Sequence, residues 1–100
     1  SGLLARHYAP RTPAELVDTA ALAARLAQLQ AQGLRVGVLA LRRPLGDGIA
    51  LDDEPAAYGQ RLYAALRELD GGGFDRLLIE TPPPGEDWRA VHDRLRRAVA

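Results

Sequence analysis

The chain of 100 residues has no cysteine, no lysine and no asparagine, and its single serine is Ser1. Each absence removes a class of chemistry. Without cysteine there is no disulfide, no thiolate nucleophile and no zinc–thiolate site, and the expected compartment is the cytoplasm. Without lysine there is no Schiff base and no phosphate-loop lysine. With Ser1 as the sole serine, no Ser-His-Asp set can be built. The two histidines, His7 and His92, come with no spaced carboxylate pattern, so no metal site is expected. No apolar run reaches about eighteen residues and no n-region with h-region stands at the front, so neither a membrane span nor a signal peptide is expected. Neither charge dominates, with 13 basic residues, all arginine, against 13 acidic ones. That balance argues against a strong nonspecific nucleic-acid binder. Beginning with Ser and not Met, the sequence reads as a processed chain or a piece of a longer one.

What is present is ample apolar sequence, 47% of the chain, in a length suited to one globular domain. Residues 1–13 form an arm. Pro10 and Pro13 remove backbone donors and push their predecessors toward extended geometry, and between them and Arg6 lie His7 and Tyr8. The arm is expected to be disordered or to pack on a neighbour. Residues 14–17 read as a short strand, and Asp18-Thr19 as a helix N-cap. Leu22, Leu26 and Leu29 then mark one face of a helix ended by Gly33. Residues 34–41 (LRVGVLAL) are nearly continuously apolar, which suits a strand buried on both faces of a parallel sheet. Residues 42–48 are a loop, and 49–51 a short strand whose direction stays open, because the loop cannot hold a helical crossover. Asp52-Asp53-Glu54-Pro55 opens a second helix, with an acid at the N-cap and Pro in the first turn. Its buried face is Tyr58, Leu62, Ala65, Leu66 and Leu69. After three glycines, residues 74–80 (FDRLLIE) form a strand, and Thr81-Pro82-Pro83-Pro84-Gly85 a rigid loop. A last helix follows Glu86-Asp87, with Trp88, Val91, Leu95 and Val99 inward. This alternation predicts an α/β domain with a mostly parallel sheet of about four strands and three main helices.

Open α/β sheets bind ligands beyond the carboxyl ends of their strands. Those ends are expected to carry Arg42, Arg43 and Gly46-Asp47-Gly48 after one strand, and Glu80 to Gly85 after another. The Gly-x-Gly lacks a third glycine and a following helix, so the dinucleotide fingerprint fails and a turn is the simpler reading. Asp52, Asp53 and Glu54 could be a hard-cation cluster, but they read better as a helix start. Glu80 could act as a base, yet no His or Lys lies near it in sequence. His92, one position off the apolar face, reads as a partly buried or surface histidine. No catalytic set and no metal site emerges. Arg42, Arg43 and Glu80 remain a weak ligand edge. The best-equipped segment is the arm, with Arg6, His7, Tyr8, Pro10 and Arg11.

The arm Gly2-Leu3-Leu4-Ala5-Arg6-His7-Tyr8-Ala9-Pro10-Arg11-Thr12-Pro13 resembles the interdomain linker of two-domain threonylcarbamoyl-AMP synthases. Residues 62–70 (LYAALRELD), 74–80 (FDRLLIE) and 90–98 (AVHDRLRRA) are similar, in order, to motifs of the small C-terminal domain of those enzymes. The likeness runs end to end. It departs where Ser1-Gly2 lacks the usual intervening Pro, where Leu3 replaces Met, and where the stretch before Asp52 is short for the family, which often has a crossover helix there. The resemblance implies a Rossmann-like three-layer domain over residues 14–100, with residues 1–13 as linker. It implies a noncatalytic accessory or regulatory role in an enzyme that joins threonine, bicarbonate or CO2, and ATP into threonylcarbamoyl-AMP and pyrophosphate, for threonylcarbamoyl-adenosine in tRNA. The partner would be a YrdC-like catalytic domain upstream, which would carry the nucleotidyltransferase chemistry and its ATP and Mg. This chain would hold no cofactor and meet tRNA only indirectly. Arg6, His7, Tyr8, Pro10 and Arg11 would contact that domain as a lid. The alternative is a free-standing nucleotide-, phosphate- or RNA-binding module.

Overall fold

The computed structural model describes residues 8–100. Arg6 and His7 therefore lie outside the described residues. The elements run β1 (Ala14–Val17), α1 (Thr19–Ala31), β2 (Val36–Leu41), β3 (Asp47–Leu51), α2 (Pro55–Asp70), β4 (Arg76–Glu80), a single 3-10 turn (Glu86–Trp88) and α3 (Arg89–Val99). The four strands make one sheet in the order β1-β4-β2-β3, and every pairing is parallel. This is the small Rossmann-like three-layer fold.

The layers follow from side-chain alternation in the two central strands. Val36, Val38 and Ala40 of β2 and Leu78 of β4 face α1, where they pack with Leu22, Leu26 and Leu29. Leu39 and Leu41 of β2 and Leu77 and Ile79 of β4 face α2 and α3, meeting Tyr58, Leu62, Leu66, Val91 and Leu95. All six residues of β2 are buried, as expected of a strand covered on both faces.

Two of the helix ends follow local chemistry closely. Glu54 caps α2 by accepting from the N–H groups of Ala56 (3.3 Å) and Ala57 (2.7 Å), with Pro55 in the first turn. Gly33, at φ +82°, closes α1. Its N–H donates to the Gln30 carbonyl, and the Leu34 N–H to that of Leu29, a Schellman ending. Asp18, by contrast, sits at the N-cap of α1 but makes no side-chain cap, and neither does Trp88 at the N-cap of α3. The Thr19 hydroxyl is engaged elsewhere, on Glu80.

β3 runs parallel to β2, although only Arg42–Gly46 joins them. Register pairs Gly37 with Asp47 and Leu41 with Leu51, so the chain must travel back about 13 Å, four residues of rise. Five extended residues can span that distance without a helix. Leu45 packs against the α1-side cluster, which gives the return segment apolar cover. The return moves Gly46-Asp47-Gly48 to the amino end of the sheet. The expectation that this Gly-x-Gly lies at the ligand-binding edge is thus corrected.

The arm also departs from expectation over its described part. Residues 8–12 are docked on the C-terminal end of α2. The Asp70 carboxylate accepts from the Tyr8 hydroxyl (3.0 Å), the Arg11 N–H (3.1 Å), the Thr12 N–H (2.9 Å) and the Thr12 hydroxyl (2.8 Å). The Tyr8 ring meets Tyr63 edge-on at 6.4 Å, and Arg67 lies 5.9 Å from its centroid.

A candidate ligand cleft at the carboxyl edge of the sheet

Polar side chains converge at the Asp70 clasp and at the carboxyl edge of the sheet. At the clasp, desolvation would raise the Asp70 carboxyl, but the donors from Thr12, Arg11 and Tyr8 overcome it and lower its pKa to about 2. Burial, then the bond to Asp70, raises the Tyr8 phenol. Tyr8 is thus a neutral donor to a firmly ionised acid. Pro10 is half-buried, and Arg11 uses its backbone here while its side chain is exposed.

At the sheet edge, an open cleft of about 830 Å³ lies over the ends of β1, β4 and β2. Its floor is Glu80, the last residue of β4 and only 8% exposed. Glu80 Oε1 accepts from the Leu41 N–H (2.8 Å), and Oε2 accepts from the Thr19 hydroxyl (2.7 Å). The β2–β4 register ends at Leu39 and Ile79, so the carboxylate takes the β2 amide one turn of pleat further on. A buried acid is tolerable only with such partners.

One wall of the cleft is Pro82, Pro83 and Pro84. His92 Nε2 lies 2.8 Å from the Pro83 oxygen. A carbonyl can only accept, so Nε2 carries the hydrogen. His92 is therefore a partly buried histidine holding a loop, in keeping with the simpler expectation. Arg89 and Arg96 line the same α3 side. Arg89 pairs with Glu86 at 3.4 Å, and Arg96 with Asp93.

The third side is the end of β2. Arg42 has φ +69°, alone among described non-glycine residues in the left-handed region. The Arg43 N–H donates to the Leu41 carbonyl at 2.7 Å, closing a tight turn about Arg42. The Arg42 side chain holds Asp53 (Nε to Oδ2, 2.6 Å). Glu54 is spent on the helix cap, as the helix-start reading expected, and Asp53 on an ion pair that it did not foresee.

Of the sequence-derived edge, Arg42 and Glu80 line the cleft and Arg43 does not. Sequence reasoning missed Thr19, Arg89 and Arg96 as cleft residues. The i, i+3, i+7 spacing of Arg89, His92 and Arg96 was available as a signal, since it paints one helix face. Asp70 carried no signal at all: an acid at a helix C-terminus gives no hint of partners about 60 positions away. Among the described residues, no group of three or more His, Asp and Glu is placed to hold a metal ion. Among them also, no helix is long and apolar enough to cross a membrane.

Comparison with known proteins completes the picture. No curated protein matches the chain, and no solved structure does. Residues 1–100 match the family described as "Threonylcarbamoyl-AMP synthase, C-terminal domain", and a match over the whole chain shows that it belongs to that family.

Proposed function

We propose that this chain is the noncatalytic accessory domain of a threonylcarbamoyl-AMP synthase and that its work is to anchor the interdomain linker. The parent enzyme would convert threonine, bicarbonate or CO2, and ATP into threonylcarbamoyl-AMP and pyrophosphate in the cytoplasm, for modification of tRNA. The catalytic groups, ATP and Mg would belong to a YrdC-like domain preceding Ser1.

The observation that carries this reading is the Asp70 clasp. Four donors from Tyr8, Arg11 and Thr12 converge on one carboxylate. An arm fixed at Tyr8 gives the residues before it a fixed point of departure. Arg6 and His7 are then the groups offered to the catalytic pocket, where they would exclude water and order the site as lids do. Tyr8 serves as the anchor of the arm, not as a pocket contact.

The test is Asp70→Ala in the full-length synthase. Threonylcarbamoyl-AMP formation should fall by about tenfold to a hundredfold, the cost of a mispositioned closing element, while the far-ultraviolet circular dichroism stays that of the parent. An unchanged rate would refute the anchoring role.

A further inference from the structure

None of the described arm residues 8–13 lines the cleft over Glu80, and we propose that it binds a nucleoside phosphate, with Glu80 accepting from the sugar hydroxyls and the Arg89–Arg96 face of α3 holding the phosphate. This stands independently of the linker reading.

The position comes from topology. After β2 the chain moves on to β3 at the far edge, whereas after β4 it turns back to α3, which packs against β1. The connections diverge between the ends of β2 and β4, and crevices formed in this way are where open α/β sheets take ligands. Glu80 lies at that point.

The floor supplies acceptors. A carboxylate offers about four acceptor positions. Glu80 uses one for Leu41 and one for Thr19, leaving two, the number needed by adjacent hydroxyls. The rim supplies cations at little cost. The partners of Arg89 and Arg96 are carboxylates three residues away on the surface, and exposed pairs of this kind are weak. Both guanidinium groups can therefore turn to a phosphate, which they bind with strong charge-assisted hydrogen bonds. The proline wall, fixed by His92, gives a rigid apolar surface for a base. The left-handed Arg42 at the mouth is backbone strain of the kind that gathers at ligand sites. A cleft of about 830 Å³ falls within the usual range for small-molecule pockets, and it is far larger than an inorganic anion or a free amino acid would fill.

The experiment titrates the isotope-labelled chain with AMP, the simplest probe having a base, two adjacent hydroxyls and a phosphate. Adenosine, inorganic phosphate and threonine are titrated separately. AMP should give saturable amide shifts centred on Thr19, Arg42, Thr81 and His92, with the separate fragments at least about tenfold weaker. The double variant Arg89→Ala/Arg96→Ala, both exposed positions, should keep the fold, weaken AMP roughly tenfold and flatten its salt dependence. Glu80→Gln should weaken AMP while leaving phosphate affinity unchanged. The proposal is overturned if millimolar AMP gives no saturable shift, or if the shifts lie elsewhere. It is equally overturned if phosphate or threonine matches AMP, or if the arginine variant binds AMP like the parent.

Discussion

Tyr58 shows how finely single side chains are settled in this core. Its ring is fully buried and meets Trp88 edge-on at 5.5 Å. Its hydroxyl has no hydrogen-bond partner among the described residues. Burial, and then the negative charge of Glu80, push its pKa upward, so it stays a neutral phenol. An unpaired buried hydroxyl costs about 1–3 kcal/mol, while its apolar replacement loses almost nothing. Tyr58→Phe should therefore stabilise the protein by about 1 kcal/mol, read as a higher urea midpoint with an unchanged slope. A lowered midpoint would mean that the hydroxyl is satisfied after all, for instance by a buried water. Glu15 presents the opposite case. Its hydrogen bonds to Arg25, joined by the charge of Arg76, outweigh desolvation and hold its carboxyl below the usual range.

Among the elements, the β2–β3 pair depends on a missing side chain. A Cβ placed on Gly48 would lie 1.9 Å from the Val38 carbonyl oxygen. Both are fixed by strand pairing, so the clash cannot be relieved by a rotamer. Gly48→Ala should cost more than about 3 kcal/mol by displacing the edge strand. The fluorescence of Trp88, the single tryptophan and buried on the α2 side, reports the transition; an unfolding midpoint like that of the parent would contradict the close approach. Legibility differed sharply between elements. The five buried positions of α2 are the five that its periodicity marks, because a helix against a sheet reads its face directly into the spacing of apolar residues. β2 was legible because burial on both faces leaves an unbroken apolar run. The direction of β3 was not. Five connecting residues usually mean a hairpin, and the parallel return depends on an extended segment finding apolar cover against α1, which no local pattern reveals.

For the molecule as a whole, Asp70 ties the first described residue to the end of a helix 62 positions later. Its native pKa is about 2, below an unfolded value near 4. The folded state therefore binds fewer protons in that range. The stabilisation is fully present above about pH 5 and is lost as pH falls toward 2. At this half-exposed carboxylate, solvent screening leaves about 1 kcal/mol of the shift as stability. Urea unfolding at pH 7 and pH 2.5 should show Asp70→Asn about 1 kcal/mol less stable at pH 7, with that gap reduced to roughly a third at pH 2.5. A gap of equal size at both pH values would show that the clasp acts through packing, not through the ionised carboxylate.

The sequence by itself determined the layered α/β class, the three helices with the inward faces of α1 and α2, the central strand buried on both sides, and the absence of thiol, amine and serine chemistry. It did so because helix faces, buried runs and residue inventories are local properties. Tertiary structure decided the direction of β3, the docking of Tyr8 to Thr12 on Asp70, and the meeting of Glu80, Thr19 and Leu41 beneath a cleft walled by α3. Each of these joins residues far apart in the chain. Their geometry is set by sheet order and register, and no spacing of residues along one segment encodes it.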